Sequence, residues 1–224
     1  MKRTIAILTK SKKFNGYCVA GIDMKTNEWV RLEHPMYRSL SSSNLLLSNG
    51  GECDILYVVE VECLDEPSKK QPYQPENVTF NPRYRFRFLY KTSWSTIISR
   101  ITKANKSSNL ILGIDSLCET IENVAKLNDK SSLQLIHVTD LIIYTEDTNH
   151  VSRPKADFTY GGKRWYYFSV TDYSYLNLSK TISFSSAYLI VSRGVPFRPS
   201  HKNEYYHYSL VAKIIDDPSV SKIA

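Results

Sequence analysis

Two strand-rich stretches separated by a helical one predict a mainly β fold (β-rich α+β): two small barrels in tandem, over 1–92 and 131–224, joined by a helical connector at 93–130. Three observations predict it. Apolar and polar residues alternate with period two through the first and last thirds. The middle switches to helical spacing. Each strand-rich half has about the length of one small barrel. A chain of 224 residues buries roughly 70% of its unfolded surface, so it needs neither disulfides nor metal to fold.

The first third holds short strands at 4–8, 17–22 and 28–33, with Lys25-Thr-Asn-Glu as the turn between the last two. In Trp29-Val30-Arg31-Leu32-Glu33 the side chains alternate. Val30 and Leu32 enter a core, and Trp29, Arg31 and Glu33 share the opposite face. Residues 39–51 are rich in Ser, Asn and Gly and read as a loop. Residues 54–63 form the strongest strand of this half, and four prolines within 65–82 make a long irregular loop. In RYRFRFLY, Arg83, Arg85 and Arg87 alternate with Tyr84, Phe86 and Phe88, which predicts one guanidinium face and one aromatic face.

In the middle, Trp94, Ile97, Ile98 and Ile101 recur at helical spacing behind Ser93 as N-cap. Ser116-Leu-Cys-Glu119 fits a capping box ahead of an apolar stripe through Ile121 and Val124. Strands return at 133–138, 141–144, 156–160, 165–171, 187–192 and 205–215, with Gly161-Gly162 as a hairpin turn. In the last strand Tyr206, Tyr208, Leu210, Ala212 and Ile214 are expected on one face.

The net charge is +7, which favours a polyanionic partner such as nucleic acid, or serves solubility alone. Sixteen tyrosines favour sheet and a half-wet contact face. Cys18, Cys53, Cys63 and Cys118 form no C-x-x-C pair, so free thiols and a reducing, cytoplasmic location are expected. No run approaches 18 apolar residues, so no membrane span is expected.

The arginines at 83, 85 and 87 would repeat about 7 Å apart along a strand. That spacing suits the phosphates of an extended single strand, or the charge that protects an edge strand from pairing. Lys12 and Lys13 precede Phe14 in a turn that tracks a backbone and stacks one base, or is merely solvated. Trp29 beside Arg31 suits a stacked base and a phosphate. Arg164 lies next to the bulky run Trp165-Tyr166-Tyr167-Phe168, one face of which must be core. For enzyme chemistry the chain offers no Walker loop, no G-x-G-x-x-G and no His pair at metal-ligand spacing. No catalytic residue, metal or cofactor is expected.

The order of several short motifs resembles the dual OB-domain proteins of bacteria, found with conflict and antiviral defence systems. The motifs are SKKFNGYCVAG (11–21), EWVR (28–31), QPEN (74–77), SLQLIHV (132–138), FTYGGK (158–163), SVTD (169–172) and SRGVPF (192–197). The resemblance spans nearly the whole chain and implies two OB-like barrels and a nucleic-acid-binding or sensing role. Of the family's polar positions, Ser11, Lys12, Arg31, Glu76, Asn77 and Asp172 are present. The first turn departs from the pattern at Phe14-Asn15, where a smaller, more polar pair is expected.

The sequence thus supports a non-enzymatic protein that binds single-stranded DNA or RNA through Lys12, Lys13, Phe14, Trp29, Arg31, Arg83, Arg85, Arg87 and Arg164. The alternative is a protein-interaction or sensor subunit of a multiprotein defence complex, with its partners drawn from that system. An enzyme acting on nucleotides or nucleic acid is the third reading, and no constellation argues for it.

Overall fold

A computed structural model describes residues 1–37, 39–64, 73–104, 108–128, 131–148, 151–200 and 202–217. The chain divides into two compact units, 1–71 with 75–105, and 72–74 with 106–224. Each holds one six-stranded sheet that curls into a barrel, and the fold is mainly β.

In the first unit β1 (Lys2–Lys13), β2 (Gly16–Asp23) and β3 (Trp29–Glu33) form an antiparallel meander. β4 (Tyr57–Glu62) pairs on the other side of β1. The closing strand comes in two pieces. β5 (Asn77–Thr79) runs parallel to β3, and β6 (Arg87–Lys91) runs antiparallel to β4. The Cys63–Phe80 bridge carries β5 onto the end of β4, so residues 77–91 shut the barrel with one excursion between the two pieces. The core joins Ile5, Ile7, Val30, Leu32, Val59, Val61, Phe80 and Phe86. Gly21 is required by close approach, since a Cβ there would sit 1.8 Å from the Ala6 carbonyl oxygen.

The helix α1 (Trp94–Ala104) belongs to this unit. Ser93 caps it as its position predicts, with the Thr96 N–H donating to Ser93 Oγ at 3.3 Å. Ile97, Ile98 and Ile101 are buried, and Arg100 donates to Asn27 Oδ1 at 3.0 Å.

The second unit holds β8 (Leu133–Thr148), β9 (Val151–Tyr160), β10 (Lys163–Val170), β11 (Ile182–Arg193) and β12 (Tyr206–Asp216). Their order is β10-β9-β8-β11-β12, and a parallel β10–β12 pairing closes the barrel. Gly161 and Gly162, both at positive φ, make the predicted β9–β10 turn. Phe158, Trp165 and Phe168 pack edge-on in the core with ring centroids 4.9 and 5.9 Å apart for the Phe158–Phe168 and Trp165–Phe168 pairs.

Two expectations change here. The division of the chain falls within the stretch 93–130, with α1 in the first unit and residues 108–128 in the second. Within it, β7 (Cys118–Thr120) pairs with the start of β12, and Thr120 rather than Ser116 caps the short α2 (Ile121–Lys126). The Ser116 hydroxyl donates instead to the Cys118 carbonyl at 2.7 Å, so the capping box never forms. In β12 the register slips at Ala212, because Ile190 pairs with Lys213 and Val191 with Val211. His207, Ser209 and Val211 therefore point inward before the bulge, and Ala212 and Ile214 after it. Part of the expected 65–82 loop, residues 65–72, lies outside the described residues.

Candidate nucleic-acid interface

On β10 the register also slips. Trp165 pairs with Phe158 and Phe168 with Ala156, so Tyr166 and Tyr167 together face the single residue Asp157 of β9. Trp165 and Phe168 both reach the core, which forces the two residues between them outward. Tyr166 and Tyr167 are 54% and 56% exposed. Tyr167 has φ +64, a left-handed conformation that costs a non-glycine residue about 1–2 kcal/mol.

Asp157 holds this bulge. Its Oδ1 accepts from the Tyr167 N–H at 2.8 Å and from the Tyr144 hydroxyl at 3.2 Å. Burial, and then the Asp157 carboxylate, push the Tyr144 phenol above its usual range, so it stays a donor. Arg164 lies one residue before Trp165. Its Nη1 donates to the Asp140 carbonyl at 2.6 Å and to Thr159 Oγ1 at 3.4 Å, and its guanidinium carbon is 5.9 Å from the Tyr166 ring centre. The outer face of β9–β10 thus presents two aromatic rings, one anchored cation and one carboxylate.

In the first barrel the β1–β2 hairpin turns at Phe14-Asn15, with Lys13 paired to Gly16. Lys12 is exposed, Lys13 is half-buried, and Phe14 is 56% exposed at φ +52. The sequence reading of this turn as exposed, basic and aromatic matches its geometry. Trp29 is half-buried.

Arg31 is not on an open face. It is 3% exposed, and its Nη2 and Nε donate to Glu76 Oε1 at 3.1 and 3.3 Å while Nη1 donates to Cys18 Sγ at 3.4 Å. Burial disfavours the cation, but Cys18 and Glu76 more than offset it and raise its pKa. The alternation of β3 is right; the burial of Arg31 against Glu76 and Cys18 is what the period cannot show. Beside it Asn77 donates to Glu33 Oε1 at 2.6 Å.

The arginine face of 83–87 is also corrected. Arg83 and Arg85 sit in the excursion between β5 and β6, where the Arg83 and Tyr84 N–H groups donate to Asn81 Oδ1 and the Asn81 carbonyl. Pro82 and Asn81 favour that turn over a strand. Arg87 alone is in β6, and it pairs with Glu60 across the sheet at 3.1 Å. Arg83 and Arg85 are exposed but share no strand face with Arg87.

The family model of the dual OB-containing domain matches residues 3–214. This chain belongs to the dual OB-containing domain family. Comparison with curated proteins and with solved structures returned no match.

Three of the polar residues in the matching motifs, Arg31, Glu76 and Asp172, serve barrel closure. Arg31–Glu76 bolts β3 to the strand that shuts the first barrel. In the second, Asp172 follows β10 and receives Lys213 Nζ at 3.0 Å, the Ile214 N–H at 3.0 Å and the Ser174 N–H at 3.1 Å. That carboxylate ties the end of β10 to β12. Ser11 and Asn77 are buried, and Lys12 alone of the set is exposed.

The outward residues of β9–β10 are harder to read. Tyr166, Tyr167 and Asp157 are absent from the sequence prediction, which takes that aromatic run mainly as core. The signal was four consecutive bulky residues, which no regular strand can place on one face. A second aromatic and cationic group lies in the β11–β12 loop: Phe197 and Tyr205 are 60% and 52% exposed, and Arg198 lies 5.8 Å from the Tyr205 ring centre. Among the described residues no group of three or more His, Cys, Asp or Glu side chains is placed to hold a metal ion, and no helix is long and apolar enough to cross a membrane.

Proposed function

We propose that this dual OB protein binds single-stranded nucleic acid without chemical turnover, and that the β9–β10 face of the second barrel is its principal contact. The observation that carries this is the bulge that turns Tyr166 and Tyr167 outward beside Arg164. OB folds bind through the face of their second and third strands and the adjoining loops, and β9 and β10 are those strands here. Exposed rings stack unpaired bases, each worth roughly 1–3 kcal/mol. The Lys12, Lys13 and Phe14 hairpin of the first barrel and the Phe197–Tyr205 loop of the second supply further phosphate and base contacts.

The test is fluorescence anisotropy with labelled single-stranded DNA and RNA at two salt concentrations. Binding at low salt that weakens as salt rises supports the reading, because phosphate contacts release counterions. No binding of either strand type at low salt overturns it.

A second reading is a protein-interaction subunit, at home in the cytoplasm of a bacterium and in a defence complex. The observation that favours it is Met36 and Tyr37, 75% and 62% exposed in the turn after β3. A nuclease-insensitive pull-down of a genomic neighbour supports it over the first.

A further inference from the structure

The outer face of β9–β10 carries more than stacking rings. Asp157 stands opposite both bulged tyrosines. Its Oδ1 is used by Tyr167 and Tyr144, while its Oδ2 accepts no hydrogen bond from any described residue. Arg164 is anchored through Nη1 alone, so its Nε and Nη2 keep their donors. Arg164 is held at Thr159, two residues along β9 from Asp157. That interval is about 7 Å between Cα atoms in a strand, so the two groups stand apart on one face.

A carboxylate repels phosphate, so its presence at a stacking platform argues for an N–H donor as its partner. A guanidinium with open donors argues for an acceptor pair. Guanine offers both: O6 and N7 as acceptors on one edge, N1–H and N2–H₂ as donors on the other. Uracil and thymine turn two carbonyl oxygens toward a carboxylate that approaches their N3–H. Adenine offers no carbonyl to the arginine, and cytosine lacks the purine breadth.

We propose that this face is a guanine-selective site, with the base stacked on Tyr166 or Tyr167, its O6/N7 edge on Arg164 and its donor edge on Asp157. This rests on the proposed nucleic-acid binding and names the base that the same face prefers.

The test uses uracil-tract RNA octamers carrying one central G, A, C or U, with free GMP as a separate arm, all measured against the whole chain. The G octamer is expected to bind about tenfold tighter than the U octamer, the scale of one good base-edge contact. Asp157→Asn should reduce that preference to less than threefold, chiefly by weakening the G octamer, with the melting temperature unchanged. The asparagine oxygen still accepts from the Tyr167 N–H and the Tyr144 hydroxyl, so the bulge survives the exchange. Arg164→Gln should lose the preference in the same way, which keeps the claim testable if the first variant fails to fold. Tight but equal binding of all four octamers overturns guanine selectivity and leaves the nucleic-acid reading standing. Binding of GMP with no octamer bound overturns the nucleic-acid reading and keeps the base site, as one for a free nucleotide. Binding of none overturns both.

Discussion

The third strand of each barrel occupies the same place in the two folds and ends in opposite surroundings. On β3 the cation Arg31 is 3% exposed and paired with Glu76, the residue just before the closing strand that runs beside β3. On β10 the outward side chains, Tyr166 and Tyr167, stand half in solvent, and the closing strand meets β10 only at Ser169 and Val170, beyond the bulge. One strand spends its polar residue on closure; the other delegates closure to Asp172 and Lys213 at its end and leaves its face open.

Breaking the covered strand should have the largest effect. Glu76→Ala leaves the Arg31 guanidinium buried without its carboxylate, which is expected to destabilise the first barrel by roughly 3–5 kcal/mol. Urea unfolding followed by tryptophan fluorescence reads this as an early transition absent from wild type. If the transition does not move, the pair does not hold the closure.

Next is the open strand. Replacing Tyr166 and Tyr167 together by Ala is expected to weaken single-stranded oligonucleotide binding by ten- to a hundredfold. Tyr167→Gly sharpens the contrast, since it relieves the left-handed strain and removes the ring. Its melting temperature should stay or rise slightly while affinity falls. A fall in both would make Tyr167 structural.

A smaller effect concerns pH. Burial holds His207 below the usual histidine pKa, with its Nδ1 bonded to the Gly194 carbonyl at 2.8 Å. A depressed folded pKa means that the unfolded chain binds the proton more readily. Its contribution is therefore complete above the usual histidine range and is lost as pH falls through it. Thermal unfolding of the second barrel should soften between pH 7 and pH 5, and less so in His207→Asn. The smallest change is Arg87→Ser, which removes an exposed, solvent-screened pair with Glu60. Its melting curve should nearly overlay that of wild type.

Much of this architecture is readable from the chain. Alternation locates nearly every strand, Ser93 marks the start of α1, and Gly161-Gly162 marks its hairpin. What escapes is whatever depends on a one-residue slip or on a distant partner. The bulges at Ala212 and at Tyr166-Tyr167 each flip a face without changing composition, so period-two reading assigns the wrong side. Arg31 and Glu76 are 45 residues apart in sequence, so nothing local shows that the strand face is covered. Arg83 and Arg85 look like a continued strand because the excursion keeps their spacing while removing their pairing. Of the expected contact residues, Lys12, Phe14, Arg83, Arg85 and Arg87 are exposed and Lys13, Trp29 and Arg164 are half-buried, whereas the exposed rings of β10 come from the bulge.

The most direct measurement is anisotropy of a labelled single-stranded oligonucleotide at low salt, titrated with wild type and with the Tyr166→Ala, Tyr167→Ala double variant. The account predicts binding by wild type and at least a tenfold loss in the variant with an unchanged circular dichroism spectrum. Equal affinity of the two proteins would contradict it.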